Sequence, residues 1–166
     1  MEFDDKGFET ATQLENTASM FFALTSIQSI KIQNLKTGNV KDMSNMFGSL
    51  ISLTELSIHD LDTTNVETME GMFAGSFALE SLSITQFKME KLKNVNYMFE
   101  FCSALISLDL TPFAKAKIET SKAWFEYSSS LTSLDFGKID FSNNEDMSDM
   151  FKECQSLETI KWDNIN

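Results

Sequence analysis

The side chains with the most reactive chemistry are few and lie far apart in the sequence. His59 is the one histidine among 166 residues, and acid–base catalysis by it would need convergent partner groups. A lone histidine at a predicted strand end is more often a surface residue. Cys102 and Cys154 could provide a thiol nucleophile or a disulfide. We favour small buried hydrophobes, because free cysteine is among the most buried residue types.

The carboxylates are numerous but scattered, and several fall on the outer positions of predicted helices: Glu67, Glu70, Glu119, Asp146 and Asp149. The acidic segment 145–149 lacks the glycine and the alternating oxygen ligands of a calcium loop, so a solvated helix face is the favoured interpretation. No glycine-rich phosphate loop or metal-spaced Cys/His pair appears. The sequence therefore predicts no cofactor, no metal site and no enzyme.

The composition indicates one ordinary globular domain, with a hydrophobic fraction of 42%. The formal net charge of −12 argues against nucleic acid or an anionic membrane as a partner. We expect the charge mainly to aid solubility, with a secondary bias toward basic partners. No apolar stretch is long enough to predict membrane insertion. The acidic start of this chain also lacks the features of a signal peptide.

The dominant signal is a repeat of 26 residues. It is anchored by an aromatic residue that closes each copy of a Met-Phe-like motif, with no insertion between copies. We number the copies as units one to six by these core phenylalanines: Phe21, Phe47, Phe73, Phe99, Phe125 and Phe151. Such a period is typical of leucine-rich-repeat arrays. We predict a single repeat domain over residues 1–166, with residues 1–26 forming an N-terminal capping helix and the first unit.

Two local patterns predict the elements of each unit. Leu56-Ser57-Ile58 alternates as a strand does, whereas Met43, Met46, Phe47 and Leu50 share one face of a helix. The predicted fold class is therefore α/β: a right-handed leucine-rich-repeat-type solenoid with one parallel sheet of about six strands. Short helices cover the other side of this sheet.

Stacked units also constrain the two thiols. Cys102 and Cys154 lie two units apart, which predicts a separation of roughly 9–10 Å. A disulfide needs Cα atoms within about 7 Å. We therefore predict that both cysteines are reduced and buried.

These residues resemble the BspA-like leucine-rich-repeat proteins of bacterial cell surfaces. The shared unit is close to T-x-N-V-x-x-M-x-x-M-F-x-x-C-x-S-L-x-x-L-x-L-x-x-F. The best matches are Thr37–Leu61, Thr63–Phe87 and Asn96–Phe113, and the likeness runs from about Leu14 to Ile165. The resemblance implies an exported protein with many repeats, located outside the cell or at its surface, that functions in adhesion and protein recognition.

Two surfaces are candidates for binding. The first is the outward face of the predicted sheet, where small hydroxyl side chains form a flat polar stripe that either recognises a partner or only keeps the sheet soluble. Its central members are Glu55, Ser57, His59, Ser81, Ser83, Thr85, Ser107, Asp109 and Thr111. The second is a group of apolar residues outside the repeat pattern: Phe77, Tyr97, Phe101 and Tyr127. Phe101 and Tyr127 occupy the same position in neighbouring units. They are either anchors for a partner or contacts that fold back over helix ends.

We expect a recognition or adhesion module that binds a protein or glycan of a host or neighbouring cell along the strand face. A structural spacer and an intracellular scaffold remain alternatives. The chain stops within a predicted repeat, which favours a fragment of a longer array. An uncapped last unit also leaves end-to-end self-association open.

Overall fold

The computed structural model describes residues 2–3 and 14–162. Within these residues it contains five short strands and one 3₁₀-helix, and turns and irregular segments make up the rest. The strands are β1 (Glu2–Phe3), β2 (Ser29–Ile32), β3 (Glu55–Ser57), β4 (Ser133–Asp135) and β5 (Thr159–Lys161), and the 3₁₀-helix is Thr111–Lys115. No helix in this part of the chain is long and apolar enough to cross a membrane.

The strands form two small parallel sheets rather than one large one. One has the order β1-β2-β3 and the other pairs β4 with β5. Ser29 pairs with Glu55 and Leu134 with Ile160, so the pairing follows the 26-residue repeat. The predicted parallel sheet of about six strands, and with it the leucine-rich-repeat solenoid, is wrong.

The interruption lies in units three and four, where segments 81–84 and 107–110 are not strands. Polar side chains take part in the bonding here: the Gln86 side chain donates to the Ile58 carbonyl at 3.2 Å, and the Ser83 and Thr85 hydroxyls lie 3.4 Å apart. Short polar side chains offer the backbone alternatives to a strand ladder. In these segments, units three and four are joined by a long backbone bond from the Ile106 N–H to the Glu80 carbonyl, at 3.3 Å.

The predicted short helices are also wrong, because the backbone of these segments bonds mainly to the next unit. The N–H groups of Asn45 and Phe47 donate to the carbonyls of Glu70 and Met72, at 2.8 and 2.9 Å. The intervening Met46 N–H closes a tight turn onto the Met43 carbonyl at 3.2 Å. An α-helix would instead bond each N–H to the carbonyl four residues earlier.

A left-handed residue lies two positions before and two positions after each core phenylalanine. In turn 43–46 the left-handed residue is Asn45, at the third position, where a type II turn requires positive φ. Two such residues in every unit are incompatible with a continuous right-handed helix. The full set, with φ between 51° and 74°, is Ser19, Ala23, Asn45, Ser49, Gly71, Gly75, Tyr97, Phe101, Ala123, Tyr127, Asp149 and Glu153.

We call the side of the molecule that carries these turns and left-handed residues the turn-bearing side. A line of parallel bridges connects the units there. It passes through Asn16, Asp42, Thr68, Asn94 and Thr120, each bridged to the next. The backbone connection between units is therefore most regular where helices were predicted. Of the predicted capping helix, residues 1 and 4–13 lie outside the described residues, and residues 14–26 form turns and a bridge rather than a helix.

The core phenylalanines lie in one row through the molecule. Successive rings are 5.5, 5.8, 5.4, 5.5 and 6.3 Å apart, and their planes are parallel to within 12°. The inward strand positions pack beside this row, and Ile30, Ile58, Ile84 and Leu134 are buried. This alternation leaves the intervening strand positions at the surface.

Candidate functional site

The nine central residues of the predicted stripe lie at the surface, and we call them the strand-face row. They are Glu55, Ser57, His59, Ser81, Ser83, Thr85, Ser107, Asp109 and Thr111, of which Ser57 is half-buried and the others are exposed. The row follows β3 and continues over the two segments that are not strands. It is therefore a surface of three neighbouring units, but not the face of one continuous sheet.

Only some of the polar groups in the row bond one another, so the other hydroxyl and carboxylate groups can form hydrogen bonds with a partner. The Ser83 and Thr85 hydroxyls are close enough to bond each other. Asp109 accepts the Thr111 N–H at 2.8 Å, so one of its oxygens is occupied by its own turn. The remaining hydroxyl and carboxylate groups can bond a partner without bulky side chains in the way.

His59 lies exposed beside a shallow depression of about 210 Å³ that Asp62, Gln86 and Lys88 also line. The Thr64 hydroxyl and N–H donate to Asp62 at 2.6 and 3.0 Å, and they lower the pKa of that carboxyl. Asp62 is thus an ionised, hydrogen-bonded turn residue. Nothing in the described part of the chain groups three or more metal-ligating side chains.

The two cysteines are free thiols that donate to backbone carbonyls. Cys102 Sγ bonds the Phe73 carbonyl at 3.3 Å, and Cys154 Sγ bonds the Phe125 carbonyl at 3.0 Å. Burial raises the pKa of Cys102 to about 12 and that of Cys154 to about 11. The prediction of burial is confirmed for Cys102, whereas Cys154 is only half-buried. Both are poor nucleophiles, since the thiolate is the reactive form.

The scattered carboxylates join neighbouring units through exposed ion pairs. Glu67 pairs with Lys41 at 3.5 Å and Glu119 with Lys93 at 3.0 Å, while Glu70 accepts the Asn94 amide at 2.9 Å. Exposed pairs of this kind contribute little to stability, because water screens them. Glu70 lies in a turn, and Glu67 and Glu119 lie in irregular segments, so none of the three is on the predicted helix face.

Three of the four aromatic residues outside the repeat pattern, Phe77, Phe101 and Tyr127, form a partly exposed stack on the turn-bearing side. The Phe101 and Tyr127 rings are 4.6 Å apart and parallel to within 5°. Phe77 leans against Phe101 at 5.9 Å and is 43% exposed. The Lys152 ammonium lies 5.8 Å from the Tyr127 ring centroid, on the ring face. The two residues that were predicted to share a slot are thus in direct contact.

A charged group beside this aromatic stack was missed by sequence reasoning. Lys152 Nζ forms an ion pair with Glu126 at 2.7 Å, and the Glu126 side chain is only 10% exposed. Burial, and then repulsion by Glu126, raises the pKa of Glu100. The signal in the sequence was positional, because Glu100, Glu126 and Lys152 each directly follow a core phenylalanine in consecutive units.

One comparison with known proteins gives a match. The family model described as "Mycoplasma protein of unknown function, DUF285" matches residues 12–135 and 106–165, which together span nearly the whole chain. No curated protein and no solved structure matches the chain.

Proposed function

We propose that this chain, which belongs to the DUF285 family of Mycoplasma proteins of unknown function, is a non-catalytic recognition module. It binds a protein or glycan of a host or neighbouring cell along the strand-face row. The observation that carries this proposal is the exposure of the row across three adjacent units. The resemblance to BspA-like surface proteins is the ground for locating it at the cell surface or outside the cell.

The chemistry of the row suits a polar macromolecular ligand. Its centre consists of serine and threonine hydroxyls, and Glu55, His59 and Asp109 add groups that differ from unit to unit. Hydroxyl groups both donate and accept hydrogen bonds, as sugars and peptide backbones require. Variation between units supports selective binding, since a surface that served solubility alone would not need it.

The test is a binding screen with purified protein on an array of mammalian glycans and an array of extracellular proteins. Ser83→Arg and Ser107→Arg introduce bulky cations in the middle of the row and should abolish the signal of any ligand found. Ser148→Arg is the matched control, because Ser148 is an exposed serine on the turn-bearing side. Thermal melts of all three variants check that they remain folded. Loss of binding in Ser148→Arg with retention in the other two would contradict the proposal.

A structural spacer is the second candidate, and the unbroken row of six stacked phenylalanines favours it. Such a row gives every unit the same contact with its neighbours, as a stiff arm needs. In that case no substitution on either surface would affect binding, because the arrays would give no saturable signal.

A further inference from the structure

The aromatic stack and its carboxylates already hold one cation of the protein itself. Lys152 lies over the Tyr127 ring and pairs with the largely buried Glu126. Three favourable contacts therefore meet on one ammonium group: the ring face, which attracts cations, the Glu126 carboxylate and, at 3.7 Å, the Asp149 carboxylate. This arrangement shows that an aromatic ring and a carboxylate of this surface can together bind a lysine ammonium group.

One unit earlier, the position that corresponds to Lys152 holds a carboxylate instead of a cation. The slot directly after the core phenylalanine holds Glu126 where the later unit holds Lys152, so Glu100 and the Phe101 ring have a second carboxylate beside them. The raised pKa of Glu100 reflects this proximity together with burial. Glu100 and Phe101 thus offer two of the groups that hold Lys152 at the other end of the stack, a carboxylate and an aromatic ring. The charge of Lys152 partly offsets the rise in the pKa of Glu100, and within the described residues Glu100 forms no ion pair of its own.

The side of Glu100 that faces unit three carries small side chains that are half-buried. Ala74 and Gly75 hold the two slots after Phe73, and the Gly75 N–H bonds the Glu100 carbonyl at 2.8 Å. Phe77, two residues further, leans toward Phe101 and is 43% exposed. We call the surface that these residues form the aromatic step; it consists of Ala74, Gly75, Phe77, Glu100 and Phe101.

We propose that the aromatic step binds a lysine side chain carried by a basic segment of a partner protein. The ammonium group pairs with Glu100, and the alkyl chain of the lysine packs on Phe77 and Phe101 over the small side chains. The net charge of −12 on the whole chain favours encounter with such a segment. This surface lies on the turn-bearing side and is separate from the strand-face row, so it does not depend on the function proposed above.

The experiment measures binding of a short fluorescein-labelled peptide of alternating lysine and glycine, by anisotropy at physiological ionic strength. Glu100→Gln and Phe101→Ser should each weaken binding by about fivefold to tenfold, since the first removes the ion pair with the ammonium group and the second removes packing of the alkyl chain. Serine is tolerated at the Phe101 slot because Ser49 holds the equivalent left-handed position, with φ of 57°.

Matched control variants distinguish binding at the aromatic step from general attraction of the peptide to the negative charge of the protein. Glu158→Gln removes the same charge at an exposed site on the strand side, and Ile106→Ser removes an apolar side chain that is 52% exposed. Both should change the dissociation constant less than about twofold. Ala74→Lys introduces a cation into the step and should abolish binding, whereas the uncharged Ala74→Gln should weaken it less.

Three outcomes would overturn the proposal. One is the absence of saturable binding by the unmodified protein. Another is equal weakening by Glu100→Gln and Glu158→Gln, which would mean that the peptide responds to total charge alone. The third is equal binding of a serine–glycine peptide, which would show that the lysine is not recognised. Circular dichroism of each variant confirms that a loss of binding is not a loss of structure.

Discussion

In units three to six, the side chain three residues after the core phenylalanine donates a hydrogen bond to the carbonyl of the preceding unit's core phenylalanine. Ser76 and Ser128 do so with a hydroxyl, at 3.5 and 2.7 Å, and Cys102 and Cys154 do so with a thiol. A buried carbonyl favours a small donor at this place. The cysteines are therefore explained by packing and hydrogen bonding rather than by reactivity.

The two thiols should differ in their reaction with a maleimide reagent in the native protein. Cys102 is 1% exposed and has the higher pKa, so it should react only as fast as the protein opens. Half-buried Cys154 should react faster. Single-cysteine variants Cys154→Ser and Cys102→Ser isolate each rate and keep a hydroxyl donor in the slot. Faster labelling of Cys102 would contradict its position in the core.

Glu100 should make the stability of the protein depend on pH in a direction opposite to most carboxylates. Its folded-state pKa is raised by burial and then by Glu126, so folding disfavours its charge. The resulting destabilisation sets in as the pH rises from the ordinary glutamate value through the folded-state value. Glu100→Gln should therefore raise the melting temperature at neutral pH and give no such gain in acid below the ordinary value.

Asp62 provides the control of opposite sign. The Thr64 hydroxyl and N–H lower its pKa, so its stabilising effect is present above the ordinary aspartate value and is lost as the pH falls toward the folded-state value. Asp62→Asn should lower the melting temperature at neutral pH and change it little in strong acid. Thermal melts over a pH series measure both variants, and a loss of stability in Glu100→Gln at neutral pH would contradict the structure.

At the scale of the elements, a series of turns and an amphipathic helix have the same spacing of hydrophobic residues in the sequence. Met43, Met46, Phe47 and Leu50 are all buried, as a helix face predicts. Tight turns that close every three residues also return side chains to the same side, so spacing alone does not separate the two structures. The informative signal was Gly71 and Gly75, which occupy both left-handed slots of unit three.

The candidate surfaces were predictable to different extents for a physical reason. Exposure of Ser83 and Ser107 follows from local alternation, which a sequence displays directly. The interruption near Ser83 depends on which groups satisfy the neighbouring backbone, and the contact of Lys152 with Tyr127 depends on turn geometry across two units. Such relations arise only when the units are assembled, so the sequence predicted the row but missed the charged part of the aromatic stack.

Gly71→Ala should destabilise the protein by about 1–3 kcal/mol. Its φ of +59° is unfavourable for alanine, and an added Cβ would lie 2.5 Å from Asn45 Oδ1. The clash can be separated from the backbone strain by a double-mutant cycle with Asn45→Ala, measured by urea denaturation. The double variant should lose less free energy of unfolding than the sum of the losses of the two single variants. Simple additivity would mean that the Asn45 side chain moves aside without cost.

At the scale of the whole molecule, each unit is stabilised mainly by the units on either side of it. Backbone N–H groups of one unit donate to carbonyls of the next, as Phe47 does to Met72 and Phe73 to Met98. The same neighbours provide the ring contacts of the phenylalanine row. Residues in units that do not touch should therefore contribute independently, and residues in adjacent units should be coupled.

Removing a ring from the middle of the phenylalanine row should cost more than removing one from the last described unit. Phe73 is fully buried between Phe47 and Phe99, at 5.8 and 5.4 Å, so Phe73→Ala should cost about 3–5 kcal/mol. Half-buried Phe151 lies 6.3 Å from Phe125, and Phe151→Ala should cost about half as much, because less apolar area is lost. Urea denaturation measures both. In double variants, Phe47→Ala should be coupled to Phe73→Ala, whereas Phe151→Ala should be additive with it. Equal losses at Phe73 and Phe151, or equal coupling in the two pairs, would mean that the units unfold without dependence on their immediate neighbours.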